Sequence, residues 1–485
     1  LAKSGFYTFD AKIFNMTQIK FGTDGWRAVI AKDFTTENVA RVAQATALWA
    51  LSKTQNPIVV VGHDCRFGGE LFAETVAKVL ARHNIKVLVA QSFVSTPMVS
   101  LGVLKNKAFL GVVITASHNP AEYNGYKLKG SYGGPLLEED IHELETFIPE
   151  SYRHNLDEYP IEHLVHTGIV ERIDLETLYC NYLEEKFDLE AIRNSKWEFA
   201  FDAMYGSGQN VMRRLFPDIT LLHCERQPLF DGIPPEPLLR NLREFSEVIN
   251  LSGEIDCGLA VDGDADRTAL FDDKGNYIDS HHVILLLIYY LHHYKGITAK
   301  VATGFSSTVK INALCKKYNL PLEIVKIGFK HIAAMMLKET ILVGGEESGG
   351  ITVAGHIPER DGIYNGLVIW EAMVKTGKTL RQLIDEVYDI TGSFAFERSD
   401  LRLSQNDKDR IVNQCNNKAY AQFGKWKVVR EENLDGYKYY FSETQWFMIR
   451  PSGTEPVLRT YAEGATREEA LKILQDGYNT IMEIS

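Results

Sequence analysis

Asp262-Gly263-Asp264-Ala265-Asp266-Arg267 places three carboxylates at alternate positions directly after the apolar run 258–261. If the strand ends in a tight loop, their oxygens converge as hard ligands, and magnesium is the natural ion. The start of a calcium EF-hand has similar spacing, but that loop needs glycine where Arg267 stands, and 268–271 reads as a strand. The EF-hand is therefore rejected, and a solvated acidic turn is the remaining alternative. A second apolar run, 110–114, leads into Thr115-Ala116-Ser117-His118-Asn119-Pro120. Ser117 is thus a candidate nucleophile at a strand's carboxyl end, where open α/β sheets place ligands. Its hydroxyl needs a base, a metal or a reactive leaving group, and neither Gly-x-Ser-x-Gly nor Ser-x-x-Lys surrounds it. The alternative is a plain Asx/Ser turn stopped by Pro120.

Two further loops carry polar chemistry. Gly344-Gly345-Glu346-Glu347-Ser348-Gly349-Gly350 follows the apolar run 341–343 and offers carboxylates and a hydroxyl suited to sugar hydroxyls. It lacks the Gly-Lys-Ser/Thr ending of a P-loop, and a flexible turn is the bland reading. Arg450-Pro451-Ser452-Gly453-Thr454-Glu455, with Arg459 nearby, combines guanidinium, hydroxyl and backbone amide donors. That set suits a phosphate dianion, against the alternative of a surface turn with incidental arginines. A nucleophile, a metal site, a polyol reader and a phosphate clamp are together what phosphoryl transfer on a phosphorylated sugar uses.

The elements that must position these loops are visible as a repeat. Strand, glycine-bearing turn, amphipathic helix and strand recur at 58–90, 199–222 and 301–325. Such βαβ units imply three α/β domains with largely parallel sheets. The length of 485 residues leaves about 85 for a smaller α+β tail with a closing helix over 466–483. Boundaries are expected near 151–168, 271–280 and 391–403, where polar or glycine-containing stretches interrupt the apolar pattern.

Composition narrows the partners. A net charge of −12 argues against broad attraction to nucleic acid or anionic lipid. The longest apolar stretch, 283–291, falls far short of the roughly 20 residues of a membrane span and reads as a buried helix. Six scattered cysteines without a Cys-x-x-Cys pair fit free, mostly buried thiols in a reducing cytoplasm. Residues 1–15 lack the pattern of a signal peptide and read as an upstream extension or tag before a natural start at Met16.

With these motifs in order from Phe21 nearly to the end of the chain, the sequence resembles the α-D-phosphohexomutase superfamily, closest to its phosphoglucomutases and phosphomannomutases. The resemblance implies three similar α/β domains plus a smaller C-terminal α+β domain around a central cleft. The expected parts are 16–165 (phosphoserine), 166–275 (metal), 276–395 (sugar) and 396–485 (phosphate). Carried over by position, Ser117 is the phosphorylated serine and shares one Mg2+ with Asp262, Asp264 and Asp266. Glu346 and Ser348 hold sugar hydroxyls, while Arg450, Ser452, Gly453, Thr454 and Arg459 bind the phosphate that is not reacting. Arg27, in Gly22-Thr23-Asp24-Gly25-Trp26-Arg27, faces the phosphoserine, and His118, Lys127, Arg267 and Lys330 complete the cleft.

The implied reaction interconverts glucose 1-phosphate and glucose 6-phosphate through a bound glucose 1,6-bisphosphate, with a hexose 1,6-bisphosphate as activator. The protein acting on this phosphorylated hexose would be a monomer or homodimer. Mannose-selective, dual-specificity and glucosamine mutases are the neighbouring activities, and a sugar phosphatase or a silent sugar-phosphate-binding protein the more distant ones. Two positions depart from common patterns of the superfamily. Ala28 follows Arg27 where many relatives have glycine, and Gly350 stands where dual-specificity and glucosamine enzymes often carry histidine. Without that histidine, Lys127, Lys330, His118 and His331 compete as general base.

Overall fold

The computed structural model describes residues 18–451 and 457–483, so the expected extension 1–15, Met16 and the phosphate-loop residues Ser452, Gly453 and Thr454 lie outside the described residues. The first sheet runs in the order Trp26–Val29, Tyr123–Gly130, Leu110–Ile114, Ile58–His63, Lys86–Ala90, Val170–Ile173, with the short Gly134–Pro135 beside Tyr123–Gly130. Its central strands are parallel, and Leu110–Ile114 is buried at every position, as a strand covered by helices on both faces must be. The strand Val170–Ile173 pairs in parallel with Lys86–Ala90, so this sheet reaches past the expected boundary at 165. A polar run marks a loop, but only pairing shows which sheet the next strand joins.

The second sheet, Tyr277–Ile278, Thr268–Asp272, Cys257–Val261, Phe199–Asp202, Thr220–Leu222, and the third, Leu322–Val325, Lys300–Gly304, Ile341–Gly345, Ile351–Val353, repeat the plan. Each has a parallel core and an antiparallel strand just after a candidate loop. Thr268–Asp272 is indeed a strand, which removes the EF-hand geometry. The apolar stretch forms the buried helix Ser280–Tyr289, whose start is capped by Asp279 and whose end widens into a π turn, Tyr290–Tyr294. Among the described residues no helix is long and apolar enough to cross a membrane, and all six cysteines are free and buried.

The tail is different in kind. Ala395–Arg402, Val457–Gly464, Trp446–Pro451, Tyr437–Tyr440 and Arg430–Glu432 form a wholly antiparallel sheet, with the helix Arg467–Glu483 packed against it. It docks on the third domain through an apolar cluster of Phe305, Tyr440, Trp446, Met448 and Tyr461. Domains one and three are joined by a fully buried contact in which Lys129 Nζ and Ser100 Oγ both donate to Glu359 Oε2, at 2.6 and 2.8 Å.

Candidate active site

Ser117 sits one turn beyond Leu110–Ile114, 1% exposed, with its backbone in the left-handed region at φ 54°. That conformation costs a non-glycine residue about 1 kcal/mol, and local hydrogen bonds hold it. Thr115 Oγ1 accepts from Ser117 N at 2.8 Å and donates to Asp64 at 2.6 Å. The buried Arg66 guanidinium donates to the carbonyls of Ser117, Asn119, Pro120 and Tyr123, and pairs with Asp64 at 3.2 Å. Asp64 and Arg66 follow the neighbouring strand Ile58–His63 and were not among the sequence candidates. Their place at a parallel strand's carboxyl end was the signal available for them.

The serine hydroxyl is aimed at the acidic loop, donating to Asp262 Oδ2 at 2.9 Å, with His118 Nδ1 3.3 Å away. The other oxygen of Asp262 accepts from the amides of Asp266 and Arg267, which curls the loop back on itself. Asp262, Asp264 and Asp266 are fully buried and can each bring an oxygen within 4.8 Å of the others. Asp264 Oδ1 and Asp266 Oδ1 are buried and find no hydrogen-bond partner among the described residues. Burial, then the carboxylates of Asp266 and Asp264, pushes the Asp262 carboxyl well above its usual range. Orphaned hard oxygens on crowded carboxylates fit a divalent cation such as magnesium.

Cations surround this acidic centre. Lys127 Nζ, 1% exposed, reaches Asp24, Asp264 and Asp266 at 2.8, 2.8 and 3.1 Å. Burial alone would depress its pKa, but the carboxylates of Asp24, Asp264 and Asp266 raise it above the normal lysine value. Arg360 Nη2 binds Asp266 at 2.6 Å and also Asp24. One carboxylate from the first domain and one from the second are therefore clamped by a guanidinium from the third. Arg27 Nη1 donates to Asn119 at 2.8 Å beside Ser117. Arg267 lies 3.8 Å from Asp262 and 3.9 Å from Asp266. Burial first, then Arg267, Arg27, Lys127 and Arg66, holds His118 well below the usual histidine pKa.

Arg360 escaped the sequence reading because no motif announces it. Its room is made by Gly350: a Cβ there would lie 2.4 Å from Arg360 Cδ. Gly350 bridges to Arg267, and Gly349 O accepts from Thr268 N, so the 344–350 loop is stitched to the acidic loop. Glu346 is buried, accepts from Gly328 N at 2.6 Å, and is pushed up to about 7 by burial and by Glu347. Ser348 lies half-buried on the same turn. Lys330 is drawn aside to Glu138 of the first domain at 2.8 Å, a partner not anticipated from sequence.

In the tail, Arg450 and Arg459 stand directly opposite one another on adjacent strands. Like charges in cross-strand register repel, and they are held here by Asp435 against Arg450 and Asp400 against Arg459. The buried Nε of Arg459 finds no hydrogen-bond partner among the described residues. Two guanidinium groups are thus set side by side, each against one carboxylate.

Comparisons with known proteins agree with this geometry. The chain matches, in order, the families described as phosphoglucomutase/phosphomannomutase alpha/beta/alpha domain I (residues 18–154), domain II (177–275), domain III (279–390) and C-terminal domain (409–478). It is 28% identical over 470 residues to a phosphoglucomutase/phosphomannomutase of Thermococcus kodakarensis, covering 96% of this chain and 98% of that one. It is 31% identical over 462 residues to a phosphoglucosamine mutase of Limosilactobacillus reuteri, covering 92% and 94%. A solved structure from Thermus thermophilus, described as a phosphomannomutase, superposes with a TM-score of 0.83 at 30% identity over 96% of this chain and 100% of that one.

Proposed function

The chain belongs to the phosphoglucomutase/phosphomannomutase family, a family of phosphohexomutases, and from that premise we propose that it interconverts glucose 1-phosphate and glucose 6-phosphate through a phosphorylated Ser117. The observation that carries this reading is the buried Ser117 hydroxyl bonded to Asp262 within the three-carboxylate loop. In the proposed cycle the Ser117 Oγ–P bond breaks as the free hydroxyl of a hexose monophosphate bonds to phosphorus, the proton of that hydroxyl ending on Ser117 Oγ. The bound 1,6-bisphosphate turns over, and its other phosphoryl group returns to Ser117.

Asp262, Asp264, Asp266 and the Ser117 phosphate would hold Mg2+, which when bound neutralises charge on the transferring group. Lys127 and Arg360 fix the carboxylates around it, and Arg27, His118 and Arg267 line the reacting end. Glu346 and Ser348 read sugar hydroxyls, with Lys330 joining once it leaves Glu138. Arg450 and Arg459, with Ser452, Gly453 and Thr454, hold the distal phosphate. A glucose 1,6-bisphosphate activator primes Ser117. The buried free thiols fit a reducing compartment, and we place the reaction in the cytoplasm.

Glucose preference rests on the Glu346-Glu347-Ser348 sequence and on Gly350, where Arg360 fills the space a larger side chain would need. The similarity to phosphoglucosamine mutases favours glucosamine phosphates as a second reading. Comparing kcat/KM for glucose, mannose and glucosamine 1-phosphates, with magnesium and bisphosphate present, separates them. A large preference for glucose supports the proposal. Equal rates with mannose or a preference for glucosamine overturns its specificity, and net release of inorganic phosphate would identify a phosphatase.

A further inference from the structure

Asp435 lies in the turn between Arg430–Glu432 and Tyr437–Tyr440 of the tail domain. Gly436, at φ 97°, follows it, and a Cβ there would meet Ile449 O at 2.6 Å and Arg450 Cα at 3.2 Å. The turn is therefore pressed onto the strand that carries Arg450. The carboxylate accepts from Arg450 Nε at 3.2 Å and Nη2 at 3.3 Å, a side-on fork in which Nη1 takes no part.

The same carboxylate crosses the domain joint. Asp435 Oδ2 also accepts from Ile327 N at 2.9 Å, and the next amide, Gly328 N, donates to Glu346 Oε1 at 2.6 Å. Two consecutive peptide groups of the third domain are thus tied, one to the tail and one to the sugar loop, just before Lys330. An arginine side chain loses much rotamer freedom when it grips an anion, and a carboxylate that already fixes its plane lowers that cost.

We propose that Asp435 is a positioning residue: it fixes the plane of Arg450 and locks it to the 327–330 segment, so that the distal-phosphate arginine, Lys330 and Glu346 act as one unit across the joint between third and fourth domains. The inference rests on the proposed role of Arg450 as a phosphate ligand.

The test uses the full chain. Asp435→Asn keeps the shape and removes the charge. Its expected effect is a rise of about tenfold in KM for the hexose monophosphate and in Ki for inorganic phosphate, with kcat changed by less than about threefold. Phosphate stoichiometry on Ser117 is expected to be unchanged. In an Arg450→Ala background, Asp435→Asn is expected to add nothing. An unchanged KM, tighter phosphate binding, or the same loss with and without Arg450 each overturns the proposal. If Arg450→Ala alone leaves KM unchanged, the phosphate assignment itself fails and takes this inference with it. An effect of Arg450→Ala without one of Asp435→Asn overturns the positioning role alone. Asp435→Ser is the second variant should the first not fold, and collapse of both marks a merely structural residue and overturns the proposal too.

Discussion

Gly350→Ala probes the junction of the three α/β domains with a single methyl group. Its Cβ would stand 2.4 Å from Arg360 Cδ and 3.2 Å from Cγ, whereas carbon atoms pack at about 3.5 Å. The arginine stem must therefore retreat by about 1 Å. Its Nη2 now sits 2.6 Å from Asp266 and bonds Asp24 as well, so the same retreat stretches both contacts and takes the one to Asp266 out of hydrogen-bond range. Overpacking costs about 1–3 kcal/mol, and the weakened charge-assisted bonds bring a similar cost. Lys127 still neutralises Asp24 and Asp266, which keeps the expected loss near 2–3 kcal/mol rather than the larger cost of a stranded buried charge. Urea unfolding of wild type, Gly350→Ala, Arg360→Ala and the double variant is the assay. The expected result is strong non-additivity, with the alanine at 350 nearly neutral once the arginine stem is gone. A cost at 350 that persists in the Arg360→Ala background, or no cost at all, rules out this account of the contact.

Ser117→Ala is expected to abolish mutase turnover and phosphate incorporation while the melting temperature stays close to wild type; near-normal turnover would refute the assignment. Chelation should silence the enzyme reversibly, and Asp264→Asn should weaken its recovery on titration with magnesium, followed by activity and by binding calorimetry. Arg66→Lys removes a fork that serves four carbonyls, so loss of Ser117 phosphorylation is expected by mass spectrometry even with saturating bisphosphate. Glu346 has a folded pKa of about 7, above its unfolded value near 4.5. The folded state therefore holds more protons between those values, and its stability falls as pH rises through that window, by up to about 3 kcal/mol. Relative to wild type, Glu346→Gln should gain stability from pH 4.5 to 7 and no more above it; parallel unfolding curves across that range would contradict this.

Much of the site is legible because its parts are local. Ser117, Asp262, Asp264 and Asp266 each follow an unbroken apolar strand by one to five residues, and a buried strand that ends in polar residues must deliver them to one sheet edge. The repeated strand–turn–helix units announced three α/β domains for the same reason, since apolar periodicity is written residue by residue. Arg66, Asp24, Arg360 and Asp435 were not legible as site residues. Each acts on groups at other strand ends or in other domains, and neither the strand end before Arg66 nor the Gly22–Arg27 motif around Asp24 says which groups those are. That Val170–Ile173 joins the first sheet was hidden for a related reason, because its pairing with Lys86–Ala90 is a contact between distant segments.

The order of residues already names the groups: a serine, three closely spaced carboxylates, a glycine-flanked turn with two glutamates and a serine, and a pair of arginines, each on its own unit of structure. How their charges are balanced emerges in the folded molecule alone, which places Lys127 and Arg360 among Asp24, Asp264 and Asp266 and sets Asp435 against Arg450. Hydrogen bonds within a turn depend on neighbours in the chain. Ion pairs across domains depend on where whole sheets come to rest, and burial makes them strong.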